Sequence, residues 1–448
     1  MPKGASLDST GPFPPPVPSA MRRFLTSVRP LRSPRPAVAL SVPALPAHAL
    51  SAALLTALVA ATASPALAQS IPEQELSKAN AVLDDLELLR GVHELADGRV
   101  LLLDGRAARV QVGDFATKKR TTTMAAGYED NELRAAQGPW AWRGDSIALL
   151  DPVKGRLVVL TPAGTYARFE QVAEARPGAV QGAAPAAAPG AGPVVGALPN
   201  IRFIAGGVAI GSGSVPRQQV NPTLAPPRVP YPLLRYHLAT RAVDTLLRIM
   251  PPQEPRPPYV NRNLMTFTTY VGTMPVQAVD AWAALSDGTV AIVRGATYKI
   301  DLIAPDGTRT QVGPVPHTLV PLDGDDKKGV MDDTKRATEN FMRANAGRMQ
   351  GSTLGFEEPT TWPANNPPFR GDLLPRVDRQ DRLWLHTRCS ANVLKVRCYD
   401  VIDRSGARVA RVRIPNRTSV VGFGASSVYT IDEQKADKPV LQRHPMPF

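Results

Sequence analysis

Only two cysteines occur in 448 residues, which excludes a disulfide-dense scaffold and a cysteine-built zinc site. Histidine is scarce too. Beyond His48 there are His93, His237, His317, His386 and His444, with no H-E-x-x-H motif and no i, i+4 pair. No metal cluster is readable from these spacings, so neither a metal nor a cofactor is expected. Gly211-Ser212-Gly213-Ser214 is followed by no helical pattern and is no nucleophile elbow. Gly206-Gly207 lacks a phosphate-loop lysine. No segment after residue 68 is apolar enough to cross a bilayer, so the mature chain should be soluble. The charge is also dispersed. The whole chain carries a net +13, and residues 69–448 hold 46 Lys and Arg against 38 Asp and Glu. That balance is basic without dense Lys/Arg clustering, so no specific nucleic-acid partner is expected.

What is present begins with a targeting segment. Met21 is the expected start, followed by Arg22, Arg23, Arg29, Arg32 and Arg35 as a basic region. Residues 50–63 form a 14-residue apolar run, right for a signal and short for a membrane span. Ala66 and Ala68 then give A-x-A, predicting cleavage between Ala68 and Gln69. The competing reading is an uncleaved anchor. Arg22-Arg23 with Phe24-Leu25 approaches a twin-arginine signal, with imperfect spacing. No cysteine follows the apolar run, which argues against a lipid anchor. The mature protein is therefore expected in the periplasm or outside the cell.

Beyond the signal, short apolar runs alternate with turn residues in repeating units. The units span 91–123, 140–170, 201–249, 281–313, 374–415 and 418–448. In each, a strand ends in a Gly/Asp turn and a very apolar strand follows; a third strand, an x-Gly-x turn and a polar fourth strand complete it. Asp97-Gly98 matches Asp287-Gly288, and Ala163-Gly164 matches Asp306-Gly307 and Ser405-Gly406. Four-stranded units recurring in this way predict an all-β, six-bladed β-propeller of antiparallel blades. The last unit lacks a fourth strand, and residues 81–88 offer a spare apolar segment to close the ring. The alternative for that segment is a short helix before the domain.

The runs ELADGRVLLLDGRAARV, SIALLDPVKGRLVVL, ALSDGTVAIVRGATYKIDLIAPDG, RLWLHTRC with YDVIDRSG, and SVVGFGASSVYTI carry a family likeness. On these residues the chain resembles six-bladed propeller proteins with NHL-type repeats, in particular secreted bacterial members. The resemblance implies fold and not chemistry.

Long connections lie between units, at 171–200, 250–280 and 314–373, and inside the third unit at 215–232. In a meander blade both kinds emerge on one face, which makes that face the expected ligand side. Residues 173–199 read as an Ala/Gly/Pro-rich flexible loop. Residues 325–347 read as a helix with Val330, Thr334, Ala337, Phe341 and Met342 on one face. Residues 357–369 read as an extended Pro-rich loop, with Trp362 and Phe369 as packing residues.

Cys389 and Cys398 flank a hairpin turn and are expected to form a disulfide in an oxidising compartment. His386 reads as structural. Arg143-Gly144-Asp145 reads as a hairpin turn rather than an adhesion motif. Candidate ligand contacts are Asp104, Arg106, Asp151, Arg294 and Arg388, at or near the ends of second strands, with Trp142 and Trp282 near unit starts. The plainer reading of Asp104 and Asp151 is as acceptors of turn hydrogen bonds. The function expected is a monomeric, non-catalytic propeller binding a protein, peptide or small ligand. Two rivals stand beside it: a metal-assisted lyase or lactonase, and a structural envelope component.

Overall fold

The computed structural model describes residue 71 and residues 73–86, 88–105, 109–129, 131–172, 200–213, 228–240, 242–251, 267–272, 276–344, 352–359, 361–369, 374–389, 396–415, 418–432 and 439–448. The expected export signal with its Ala68–Gln69 cleavage site, and the loop 173–199, lie outside these residues.

Six antiparallel meanders follow one another along the chain. Blade one comprises Leu89–Glu94, Val100–Asp104, Arg109–Asp114 and Lys119–Met124; blade two comprises Gln137–Ala141, Ile147–Asp151, Arg156–Leu160 and Tyr166–Gln171. Blade three is Asn200–Ala205, Val208–Ser212, Tyr231–His237 and Val243–Ile249; blade four is Ala281–Ala284, Val290–Arg294, Lys299–Ile303 and Arg309–Val312. Blade five holds Arg376–Val377, Leu383–Thr387, Val396–Ile402 and Arg408–Pro415, and blade six holds Thr418–Phe423, Ser427–Asp432 and Leu441–Pro445. The fold is a six-bladed β-propeller.

The second strands explain why the pattern is readable. Val100–Asp104, Ile147–Asp151 and Leu383–Thr387 are buried along their whole length. Alternate side chains of a strand point to opposite faces. Leu101 and Leu103 accordingly pack with Leu149 and Val158 of blade two, while Val100 and Leu102 pack with Tyr429 and Leu441 of blade six. Both faces of the strand meet a neighbouring blade, so alternation gives way to a continuous apolar run. The same happens at every junction: six clusters of buried side chains bridge blades one–two, two–three, three–four, four–five, five–six and six–one. Each fully buried Leu, Ile or Val in them is worth about 1.5–3 kcal/mol of burial.

The ring closes through the N-terminal strand. Ala81–Leu83 pairs antiparallel with Leu441–Pro445, placing Ala81 opposite Arg443 and Leu83 opposite Leu441. The strand is shorter than the apolar segment 81–88, because Asp85 takes a positive φ of 57° and turns the chain. A second pairing has no apolar signature in the sequence. Glu73–Glu75 runs parallel to Arg408–Pro415 as a fifth, outer strand of blade five. Its Glu73 carboxylate lies 3.7 Å from Arg411 and 3.9 Å from Arg413. The N-terminal segment therefore clasps blades five and six together.

The connection between blades four and five is built rather than loose. Val320–Pro321 pairs with Asn365–Asn366, and the helix Gly324–Ala344 lies between them in sequence. Asp323 caps that helix: its Oδ1 accepts the Asp326 N–H at 2.8 Å. Met331 is buried, and Val330 and Thr334 are half-buried, on the face expected from the sequence. The side chains of Ala337, Phe341 and Met342 lie outside the description. Phe369 is buried in the core between blades four and five, and Trp362 is half-buried. A parallel ribbon, Phe267–Gly272 with Ser352–Glu357, ties this insertion to the one between blades three and four. Residues 357–369 are thus not one extended loop: the ribbon ends at Glu357, and Asn365–Asn366 forms a short strand.

Candidate functional site

Because each blade is an antiparallel meander in sequence order, its first-to-second and third-to-fourth turns emerge at one end of the channel. Second-to-third turns and blade-to-blade connections emerge at the other end, which carries the insertions.

The turn end carries short hairpins, several of them linked to one another. Gly98 and Gly288 supply the positive φ their hairpins require, at 83° and 86°. Asp381 of blade five accepts the Ser286 N–H and the Ser286 hydroxyl of blade four, each at 2.7 Å. Arg404 bridges Asp287 at 2.8 Å and Asp381 at 2.7 Å. Glu94 at the end of the blade-one inner strand accepts the Ala425 N–H at 3.0 Å and the Tyr429 hydroxyl of blade six. Arg379 of blade five donates to the Glu94 carbonyl, past blade six. Beside this contact His93 has its pKa lowered to about 4, first by burial and then by the Arg379 charge, with Glu94 opposing. Arg143-Gly144-Asp145 is the corresponding turn of blade two, with Gly144 at φ 59°.

At the insertion end the sequence-derived candidates are found at the second-strand ends, each with an internal partner. Asp104 is buried and paired with Arg109 at 3.1 Å. It borders a hollow of about 10 Å³ lined with Leu86, Leu88, Leu89, Leu102 and Gln111. That space suits no more than about one water. Asp151 is fully buried and accepts the N–H groups of Arg134 at 2.8 Å, Lys154 at 3.3 Å and Ala135 at 3.4 Å. Arg294 joins Asp280 at 2.6 Å and Asp301 at 2.7 Å. Arg388 holds the helix start, contacting Asp326 at 2.9 Å, Asp323 at 3.4 Å and the Pro321 carbonyl at 2.8 Å. Asp104, Arg294 and Arg388 thus stand in ion pairs, and Asp151 in backbone hydrogen bonds. Trp142 packs in the core between blades two and three, and Trp282 between blades three and four. Arg106 lies outside the described residues.

The disulfide Cys389–Cys398 is present, with Cα atoms 5.2 Å apart, and clips the blade-five hairpin next to Arg388. His386 is buried in the same hairpin, 5.7 Å from the Tyr399 ring. Among the described residues no group of three or more His, Cys, Asp or Glu is placed to hold a metal ion. No helix among them is long and apolar enough to cross a membrane.

A different group emerges at the insertion-end mouth of the channel, on the inner strands of blades three, four and five. Arg202 is the extra residue of a bulge, since Ile201 pairs with Gly211 and Phe203 with Ile210. Bulges re-aim a side chain. The bulge is held from blade two, whose Trp140 Nε1 donates to the Arg202 carbonyl at 3.0 Å. The Arg202 guanidinium carbon lies 6.0 Å from the Trp282 ring centroid. Arg376 opens the inner strand of blade five and is exposed to solvent, as is Arg202. Desolvation lowers the Arg376 pKa, with Tyr399 opposing and the Arg202 charge adding to the depression. The Tyr231 phenol is raised by desolvation and by the Asp280 charge, with Arg202 and Trp282 opposing. The sequence reading missed Arg202 and Arg376. The only local signal is a charged residue in an inner strand, in IRFIA and in PRVD.

No family model matches the chain and no curated protein matches it. Solved structures do. A DUF4221 family member from Bacteroides vulgatus aligns at TM-score 0.40 and 9% identity, covering 84% of this chain and 96% of that one. A gluconolactonase from Xanthomonas campestris aligns at TM-score 0.37 and 9% identity, covering 84% and 98%. A catalytically inactive virginiamycin B lyase from Staphylococcus aureus aligns at TM-score 0.31 and 12% identity, covering 79% of each chain. No residue role passes from those proteins to this one.

Proposed function

We propose that this chain is an exported, non-catalytic propeller that binds its ligand or partner at the insertion end of the channel. One observation carries the reading: the two ends are built differently. The turn end carries short hairpins linked between blades, as at Asp381 and Arg404. The insertion end carries the long connections, one of them ordered around a capped helix. Functional contacts concentrate on loops held by a rigid scaffold. The disulfide and the lack of a membrane-spanning helix among the described residues are compatible with an extracellular or periplasmic site.

A photo-reactive residue at Leu319, exposed at the insertion end, and another at Thr308 on a turn of the opposite end test this directly. Adducts with one defined species are expected from position 319 and not from 308. Equal labelling from both, or from 308 alone, would overturn the reading. N-terminal sequencing of the exported protein checks the secretion step, with Gln69 expected as first residue.

A further inference from the structure

We infer that His444 is a proton-sensitive latch on the N-terminal segment that closes the ring. Neutral, it holds the crossover between Glu73–Glu75 and Ala81–Leu83; protonated, it lets that segment go.

The segment is otherwise lightly held. Each of its two strands is three residues long. Its ion pairs to Arg411 and Arg413 are no closer than 3.7 Å. Leu83 is buried between blades six and one, and Leu76 is partly buried between blades five and six. At the crossover the Leu76 N–H donates to the Arg413 carbonyl at 2.8 Å and the Asn80 N–H to the Arg443 carbonyl at 2.9 Å. Short elements with few buried apolar contacts open locally, below the free energy of global unfolding. One further buried contact can therefore decide whether this one stays closed.

His444 makes that contact. It lies on the strand that pairs with Ala81–Leu83. Leu441 of that strand packs toward blade one and Met446 toward blade five, so alternation turns the buried His444 ring toward blade five. Its Nδ1 is 2.7 Å from the Ser77 carbonyl, which can only accept, so Nδ1 carries the proton. Nε2 is then the acceptor for the Thr430 hydroxyl at 3.0 Å. The neutral ring satisfies both contacts. A second proton would set an N–H against the Thr430 oxygen and bury a charge. Burial lowers the His444 pKa and the Ser77 carbonyl opposes. Arg443 and Tyr429 point to the other face, into the junction with blade one. On the side of the histidine stand Asp432 on the neighbouring strand and Arg376, His386 and Tyr399 on blade five, with Lys78 exposed beside Ser77. None of these charges figures among the influences on His444.

In the released segment His444 returns to its ordinary value near 6.5. The released state then binds the extra proton first and gains population as pH falls below about 6.5. Release uncovers the edges of Leu441–Pro445 and Arg408–Pro415, and free edges pair with other strands.

Hydrogen exchange of the full chain, read by mass spectrometry as protection factors between about pH 7.5 and 5.5, tests the latch. Protection over residues 73–83 should be lower than in the second strands of the blades. It should fall with pH, the opening constant rising by up to about tenfold per pH unit, as release coupled to one proton requires. His444→Asn keeps a donor toward Ser77 and cannot titrate, so the slope should vanish. His93→Gln, at another buried histidine, should leave the slope in place. A segment whose protection ignores pH, or an equal slope in His444→Asn, overturns the latch. So does a slope reduced by His93→Gln, because the segment would then open only with the whole ring. If His444→Asn does not fold, nitrogen-15 NMR of the parent decides. A ring protonated on Nδ1 that gains its second proton over the range where protection is lost supports the latch; one that gains it elsewhere sinks it.

Discussion

The two ends of this propeller handle charge in opposite ways. At the turn end, Arg404 sits between Asp287 and Asp381, and Glu94 gathers contacts from blade six. Charges there act as rivets between neighbouring hairpins. At the insertion end Arg294 joins Asp280 and Asp301, and Arg388 holds the helix start. The turn-end charges tie blade to blade, and the insertion-end charges tie connections to the blades. A turn-end rivet, when removed, should cost stability and leave ligand binding alone.

The largest stability effect is expected at the insertion end, from the double change Cys389→Ser, Cys398→Ser. The bridge closes a short loop, its cysteines nine positions apart. Chain-entropy arguments assign a bridge of that size about 2–3 kcal/mol. Equilibrium denaturant unfolding should show a loss of that order. Hydrogen exchange should rise around Arg388 and the helix start it holds, because the broken clip adjoins that anchor. Protection at the turn-end hairpins should not change. Equal loosening at both ends would dissolve the comparison.

Asp381→Ala is the matching break at the turn end. It deletes acceptors for the Ser286 N–H and hydroxyl and a partner of Arg404. A cost of about 1–2 kcal/mol in unfolding free energy follows, since the site is only partly buried and water replaces some of what is lost. Labelling from position 319 should be untouched. A change there would mean that the turn end communicates with the insertion end.

The blades were legible in the sequence because their second strands are buried on both faces. Continuous apolar runs such as VLLLD and IALLD could hardly be anything but core. The closing strand was legible for a topological reason, a blade one strand short with a spare segment upstream. The parallel strand Glu73–Glu75 was not, because EQE pairs through its backbone and through Arg411 and Arg413, leaving no apolar trace. The ribbon between the insertions escaped for a related reason, since its partners lie far apart in sequence. The second-strand charges meet local partners. Some of these lie on the next strand, as Arg109 does for Asp104 and Asp301 for Arg294, and others on connections, whose approach no periodicity reports.

The smallest expected effect gives the comparison its pH signature. His93 lies at the turn end with its pKa lowered to about 4, by burial and then by Arg379, while Glu94 opposes. Its ordinary value is near 6.5. Between those values the unfolded chain binds more protons than the native one, so stability rises with pH across that window and falls as pH drops from about 6.5 toward 4. His444 is lowered in the same direction by burial, with the Ser77 carbonyl opposing, and adds a slope of the same sign. Aspartates such as Asp97 and Asp287 are lowered from an ordinary value near 3.8, so their losses fall below this window. His93→Gln should therefore flatten part of the slope between pH 4.5 and 6.5, leaving the part due to His444. Denaturant midpoints at several pH values across that range are the measurement, made on both chains.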